Sequence, residues 1–149
     1  MPLIKFGNKQ ETVSNSLLQW DSSYSVGITE IDQQHQMLIS MITELNNSVA
    51  QANGRESQEK ILNGLTSYSK EHFATEERLF DRYAYPWSVT HKAEHAAFTQ
   101  KVTQFVQDYK AGKTGINNQI LAYLSDWLKN HIISKDKTYS YFFAMKGVK

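Results

Sequence analysis

Seven residues in this 149-residue chain have the types and spacing to do chemistry together: His35, His72, Glu76, His91, His95, His131 and Asp136. His91 and His95 form H-x-x-x-H. Residues four apart on a helix differ by about 40° of rotation and about 6 Å of rise, so both imidazoles can face one point. His72 and Glu76 repeat that step with one nitrogen and one carboxylate. His131 and Asp136 are five apart, about 140° of rotation on a regular helix, so they converge only if the helix ends, tightens or bulges between them. An irregularity is therefore expected near Ser134 and Lys135. A core has little reason to bury five imidazoles and two acids, because unpaired buried polar groups each cost about 2 kcal/mol or more and carboxylates cost further. Divalent or trivalent cations remove that difficulty by neutralising the acids and occupying the imidazole lone pairs.

The chain has no cysteine, which excludes disulfides, zinc–thiolate sites, iron–sulfur clusters and thiol nucleophiles, and leaves nitrogen and oxygen as metal donors. Seven side chains exceed the needs of one six-coordinate ion, whereas two ions sharing both carboxylates would use all of them. A nitrogen-rich, oxygen-bridged, thiolate-free pair of sites suits iron better than magnesium or calcium, and manganese or zinc can use the same groups.

Long helices must position these donors. Only two prolines and seven glycines punctuate the chain, too few for a succession of short strands. Apolar residues at helical spacing mark four segments: residues 29–52, stopped by Asn53 and Gly54; a second from a possible N-cap at Ser57, with Glu59 favouring the helix dipole, to Pro86; residues 87–109; and a fourth from Ile116 through Ile132. The last two are joined by residues 111–115. Short links force neighbouring helices antiparallel, so the expected fold is all-α, an up-down-up-down four-helix bundle. Residues 1–149 then form a single domain with an N-terminal arm (1–26), the bundle (27–136) and a C-terminal tail (137–149).

Hydrophobic residues make up 40% and charged residues 21% of the chain, and the net charge is +1. This is the composition of an ordinary globule, with no basic excess for gripping nucleic acid. No apolar run reaches the length of a signal-peptide core or a membrane span, so a cytoplasmic location is expected and neither membrane nor nucleic acid is an expected partner.

The ordered pattern H35, H72-F73-A74-T75-E76, H91-K92-A93-E94-H95 and H131-I132-I133-S134-K135-D136, together with W20, V26-G27 and I31-D32-Q33-Q34-H35, resembles the hemerythrin family, specifically its bacterial members. The resemblance spans residues 20–139. It implies a non-haem di-iron centre with a bridging oxo or hydroxo group that binds dioxygen reversibly. It also implies the division of ligands: His91, His95 and His131 on one iron, His35 and His72 on the other, Glu76 and Asp136 bridging, and an open position on the second iron. Ile31, Leu38, Phe73, Trp127, Leu128 and Ile132 lie within a turn of these positions and are the expected walls of a dry ligand pocket. Asp32 is expected to work structurally near a helix start, Glu77 to lie off the site, and Trp20 with Gly27 to anchor the arm. Tyr139 either donates to a bridging carboxylate or ends the core, and Tyr141, Phe142 and Phe143 either cap the bundle or mark a subunit contact.

Di-iron oxidases typically use paired E-x-x-H motifs with more carboxylates than histidines. No E-x-x-H occurs here, so the expected function is oxygen carriage, storage or delivery rather than catalysis. The alternatives are a sensor of oxygen or nitric oxide acting through a separate protein partner, and a di-iron oxidase or peroxidase.

Overall fold

The apolar stripes wind into four long helices: α1 (Thr29–Ala50), α2 (Arg55–Tyr83), α3 (Ser88–Lys110) and α4 (Ile116–His131). The computed structural model describes residues 18–149 apart from 52, 53 and 114. Residues 1–17 of the arm, and the expected stop at Asn53, lie outside these. α1 packs against α2 and α4, and α3 against the same two. Consecutive antiparallel helices therefore close the expected up-down-up-down ring, and the described residues contain no strand.

Each stripe keeps a three-and-four spacing, and histidines occupy core positions at one end of it. On α1 the buried series includes Ile31, His35, Leu38, Ile42 and Leu45; on α3 it is His91, His95, Phe98, Val102, Phe105 and Tyr109. α2 begins half a turn before the expected cap at Ser57, after Gly54. Its extra residues are held from outside: the Arg55 guanidinium donates from Nη2 to the Tyr109 and Lys110 carbonyls at 2.6 Å each, satisfying the end of α3. α2 ends on Ala84, which takes a left-handed conformation (φ 53°) while the Tyr85 N–H donates to the Phe80 carbonyl at 3.0 Å.

The fourth helix does not stop at His131. A π-helical turn (Ile132–Asp136) follows, then α5 (Lys137–Met145), so the rod runs unbroken from Ile116 to Met145. The expected irregularity is this turn. Its wider hydrogen bonds, such as Lys137 N–H to the Ile132 carbonyl, bring residues five apart into register.

Two apolar clusters flank the histidines. The larger fills the rest of the bundle, from Leu38 and Leu65 to Ile120 and Leu128. The smaller consists of Val26, Ile28, Ile31, Phe80, Tyr85, Tyr139 and Phe143, so the arm and α5 together close the histidine end. Asp32 secures the arm: Oδ1 accepts from Val26 N–H at 2.9 Å and Oδ2 from the Ser25 hydroxyl at 2.5 Å. Gly27 supplies the positive φ (77°) that lets Val26 and Ile28 both turn inward. Trp20 packs half-buried on the larger cluster.

Candidate metal centre

The bundle brings all seven sequence-selected residues to one buried point. His35, Glu76 and Asp136 are fully buried, and His72, His91, His95 and His131 are at most 4% exposed. Their donor atoms form two groups, each drawn together within 4.8 Å: Glu76, His91, His95 and His131 in one, and His35, His72, Glu76 and Asp136 in the other. Glu76 belongs to both, with Oε1 at 3.0 Å from His95 Nε2 and 3.5 Å from His72 Nε2. Asp136 also reaches both sides. Its Oδ1 is 3.0 Å from His91 Nε2 and 3.1 Å from His131 Nε2, and its Oδ2 is 3.0 Å from His35 Nε2.

Despite these separations, His35 Nε2, His91 Nε2, His95 Nε2, His131 Nε2, Glu76 Oε1 and both Asp136 oxygens make no hydrogen bond. They are near one another but aimed at common points between them. Donors adjacent on a six-coordinate ion with bonds of about 2.1 Å stand about 3 Å apart, which matches the spacing here. Orphaned buried donors of this chemistry fit two transition-metal ions and no purely apolar core.

The remaining ring nitrogens orient the imidazoles. His72 Nδ1 donates to Gln34 Oε1 at 2.7 Å, His95 Nδ1 to Glu77 Oε2 at 2.8 Å, and His131 Nδ1 to Glu94 Oε1 at 3.4 Å. Glu77, expected off the site, thus supports one of its histidines, and Gln34 and Glu94 escaped sequence reasoning. The available signal was adjacency: each precedes or follows a donor residue. Aromatic rings complete the support, with Phe73 stacked on His95 at 3.9 Å, Trp127 on His131 at 4.3 Å and Phe80 edge-on to His91 at 4.8 Å. Of its two alternatives, Tyr139 takes the first: its hydroxyl donates to Glu76 Oε2.

Burial lowers the His72 pKa to about 4. Burial pulls on His131 likewise, but the negative charge of Asp136, close to its ring, and then those of Glu76 and Glu94 override it and raise that pKa to about 9. Burial opposes ionisation of Asp136 too, yet His131, His35 and His91 hold it well below the usual carboxylate range. Desolvation and the neighbouring Glu76 push the Tyr139 phenol far up, keeping it a donor.

Next to the centre lies a narrow cavity of about 10 Å³, lined by apolar side chains including Leu38, Leu128 and the Phe73 and Trp127 rings that stack on His95 and His131. Four of the six expected wall residues are here. Ile132 is buried in the surrounding cluster, whereas Ile31 packs in the smaller cluster with Phe80 and Tyr139. The one polar lining residue, Ser69, spends its hydroxyl on the Leu65 carbonyl at 2.8 Å.

A ring of four antiparallel helices enclosing two overlapping histidine–carboxylate groups defines a class of bundle built to hold a pair of metal ions. Within that class the chain belongs to the hemerythrin family, whose profile, described as the hemerythrin HHE cation binding domain, matches residues 26–140. Bacteriohemerythrin of Stenotrophomonas maltophilia (strain R551-3) is 34% identical over 126 residues, covering 84% of this chain and 80% of that protein. A hemerythrin-like protein of Naegleria gruberi is 31% identical over 128 residues, covering 86% and 95%. A crystal structure of wild-type hemerythrin superposes with a TM-score of 0.78 at 28% identity, covering 84% of this chain and 96% of that one. Among the described residues no helix is long and apolar enough to cross a membrane.

Proposed function

We propose that the chain binds dioxygen reversibly at a pair of iron ions, as a carrier, store or delivery protein rather than an enzyme. In this reading His91, His95 and His131 hold one iron, His35 and His72 the other, and Glu76 and Asp136 both. The observation that carries it is the asymmetry of the donor groups: three imidazoles gather in one and only two, His35 and His72, in the other, with an apolar cavity walled by Phe73 and Trp127 next to the centre. When bound, the iron pair supplies two electrons and an open coordination position.

The chain's own residues make the binding reversible. Leu38, Phe73, Trp127 and Leu128 leave room for about one water-sized molecule and offer water no partner there. Ser69 aims its proton away from the cavity, so no side chain lining it presents an acid to a bound ligand. Tyr139 holds Glu76 in place while remaining protonated. Five imidazoles against two carboxylates also disfavour the oxidase reading, because anionic oxygen ligands are what stabilise strongly oxidised iron.

Anaerobic loading with ferrous iron is expected to give two irons per chain, uptake of about one dioxygen per iron pair with a visible charge-transfer band, and loss of the band when oxygen is removed. Rapid, permanent oxidation coupled to turnover of a substrate would overturn the reading.

A further inference from the structure

We propose that the pocket beside His91 is the port through which metal ions reach and leave the centre, with Glu94 as a transit ligand; the inference rests on the metal-centre reading above. The pocket has a volume of about 220 Å³ and its wall includes Thr90, His91, Glu94, Ser134, Lys135 and Thr138. A cation shedding water needs replacement oxygen donors at each stage of its passage. The Glu94 carboxylate and the hydroxyls of Thr90, Ser134 and Thr138 supply them, and His91 already belongs to the centre.

Glu94 touches both ends of this path. Oε1 accepts from His131 Nδ1 at 3.4 Å, while Oε2 pairs with the solvent-reaching Lys135 ammonium at 3.4 Å. Lys135 is a flexible cation that an arriving ion displaces. One wall is the π-helical turn, a rare geometry frequent at functional sites, which carries Asp136. The other approaches suit a cation poorly. The cavity between Leu38, Phe73 and Trp127 is apolar and about 10 Å³. The groove over His95 also carries a carboxylate, Glu77, but this is bonded closely to His95 Nδ1 at 2.8 Å, Lys70 and Lys92 share the groove, and Phe73 stacked at 3.9 Å covers the imidazole.

The test is cobalt(II) loading of the metal-free chain, followed by the visible absorption of the bound ion, and the reverse extraction by a chelator. Glu94→Gln keeps an acceptor for His131 but removes the charge, and is expected to slow loading by about tenfold. Thr138→Trp, which obstructs the pocket at an exposed position, is expected to slow both directions equally, and Lys135→Ala to speed both. Thr99→Trp, in the groove over His95, is expected to change neither. If Glu94 only oriented His131, its variant would speed extraction and raise Kd without slowing loading, and the proposal would fail. Tight cobalt binding with wild-type rates in both Glu94→Gln and Thr138→Trp would overturn the port alone. A wild-type chain that binds no cobalt would overturn the metal-centre reading itself.

Discussion

His72, His95 and His131 each turn one nitrogen toward the centre and give the other to Gln34, Glu77 or Glu94. Gln34 adjoins His35, Glu77 adjoins Glu76 and Glu94 adjoins His95, so each of α1, α2 and α3 supplies donors and also steadies a donor on the next helix along the chain. Gln34→Ala removes the acceptor from His72 and is expected to weaken metal binding by about 10- to 100-fold, chiefly on the His35–His72 side, as read by chelator competition. Undiminished affinity would remove Gln34 from the account. Protonation gives a second check. At about pH 7 the metal-free protein keeps His131, with its pKa raised to about 9, protonated, and His72, at about 4, neutral. A ligating imidazole must be neutral, so loading is expected to release a proton from His131 and none from His72, and this release fades as pH rises through about 9. Indicator-dye titration during zinc loading measures it.

At the scale of elements, the five-residue step from His131 to Asp136 made an irregularity legible before any coordinates, because a regular helix cannot aim both at one point, and the π-helical turn is its physical form. Helix ends were less legible. Ser57 has the chemistry of a cap, but Arg55 reaches across to the end of α3, a contact visible only once distant segments are together. The turn after α2 holds Ala84 at φ 53°, where a Cβ crowds the carbonyl. Ala84→Gly is expected to stabilise the protein by about 0.5–1 kcal/mol, the relief of that crowding being partly offset by unfolded-state entropy. Urea denaturation of the metal-free protein measures the gain, and a loss would show that the turn is not strained. The tail was legible as apolar but not as helix: Tyr139 and Phe143 become fully buried because α5 continues the α4 rod past Phe80 and Tyr85.

For the whole molecule, the seven donors were readable because each needs only its own helical spacing and its place in chain order, whereas the side chains supporting them needed the packing of neighbouring helices. Ile31 illustrates the limit: one turn from His35, it faces the smaller cluster and not the cavity, a difference of rotation that spacing leaves open. The bundle places its orphaned donors between two apolar clusters, so metal that binds the folded chain stabilises it. At a free concentration about 100 times Kd the gain is about 2.7 kcal/mol for one site, and chelator treatment is expected to lower Tm accordingly. Anomalous diffraction at the iron edge from crystals of the loaded protein tests the central claim most directly. The expected result is two peaks, one among His91, His95 and His131 and one between His35 and His72, with Glu76 and Asp136 bonded to both and no protein atom in the remaining position of the second. A single peak, or a protein side chain filling that position, would contradict it.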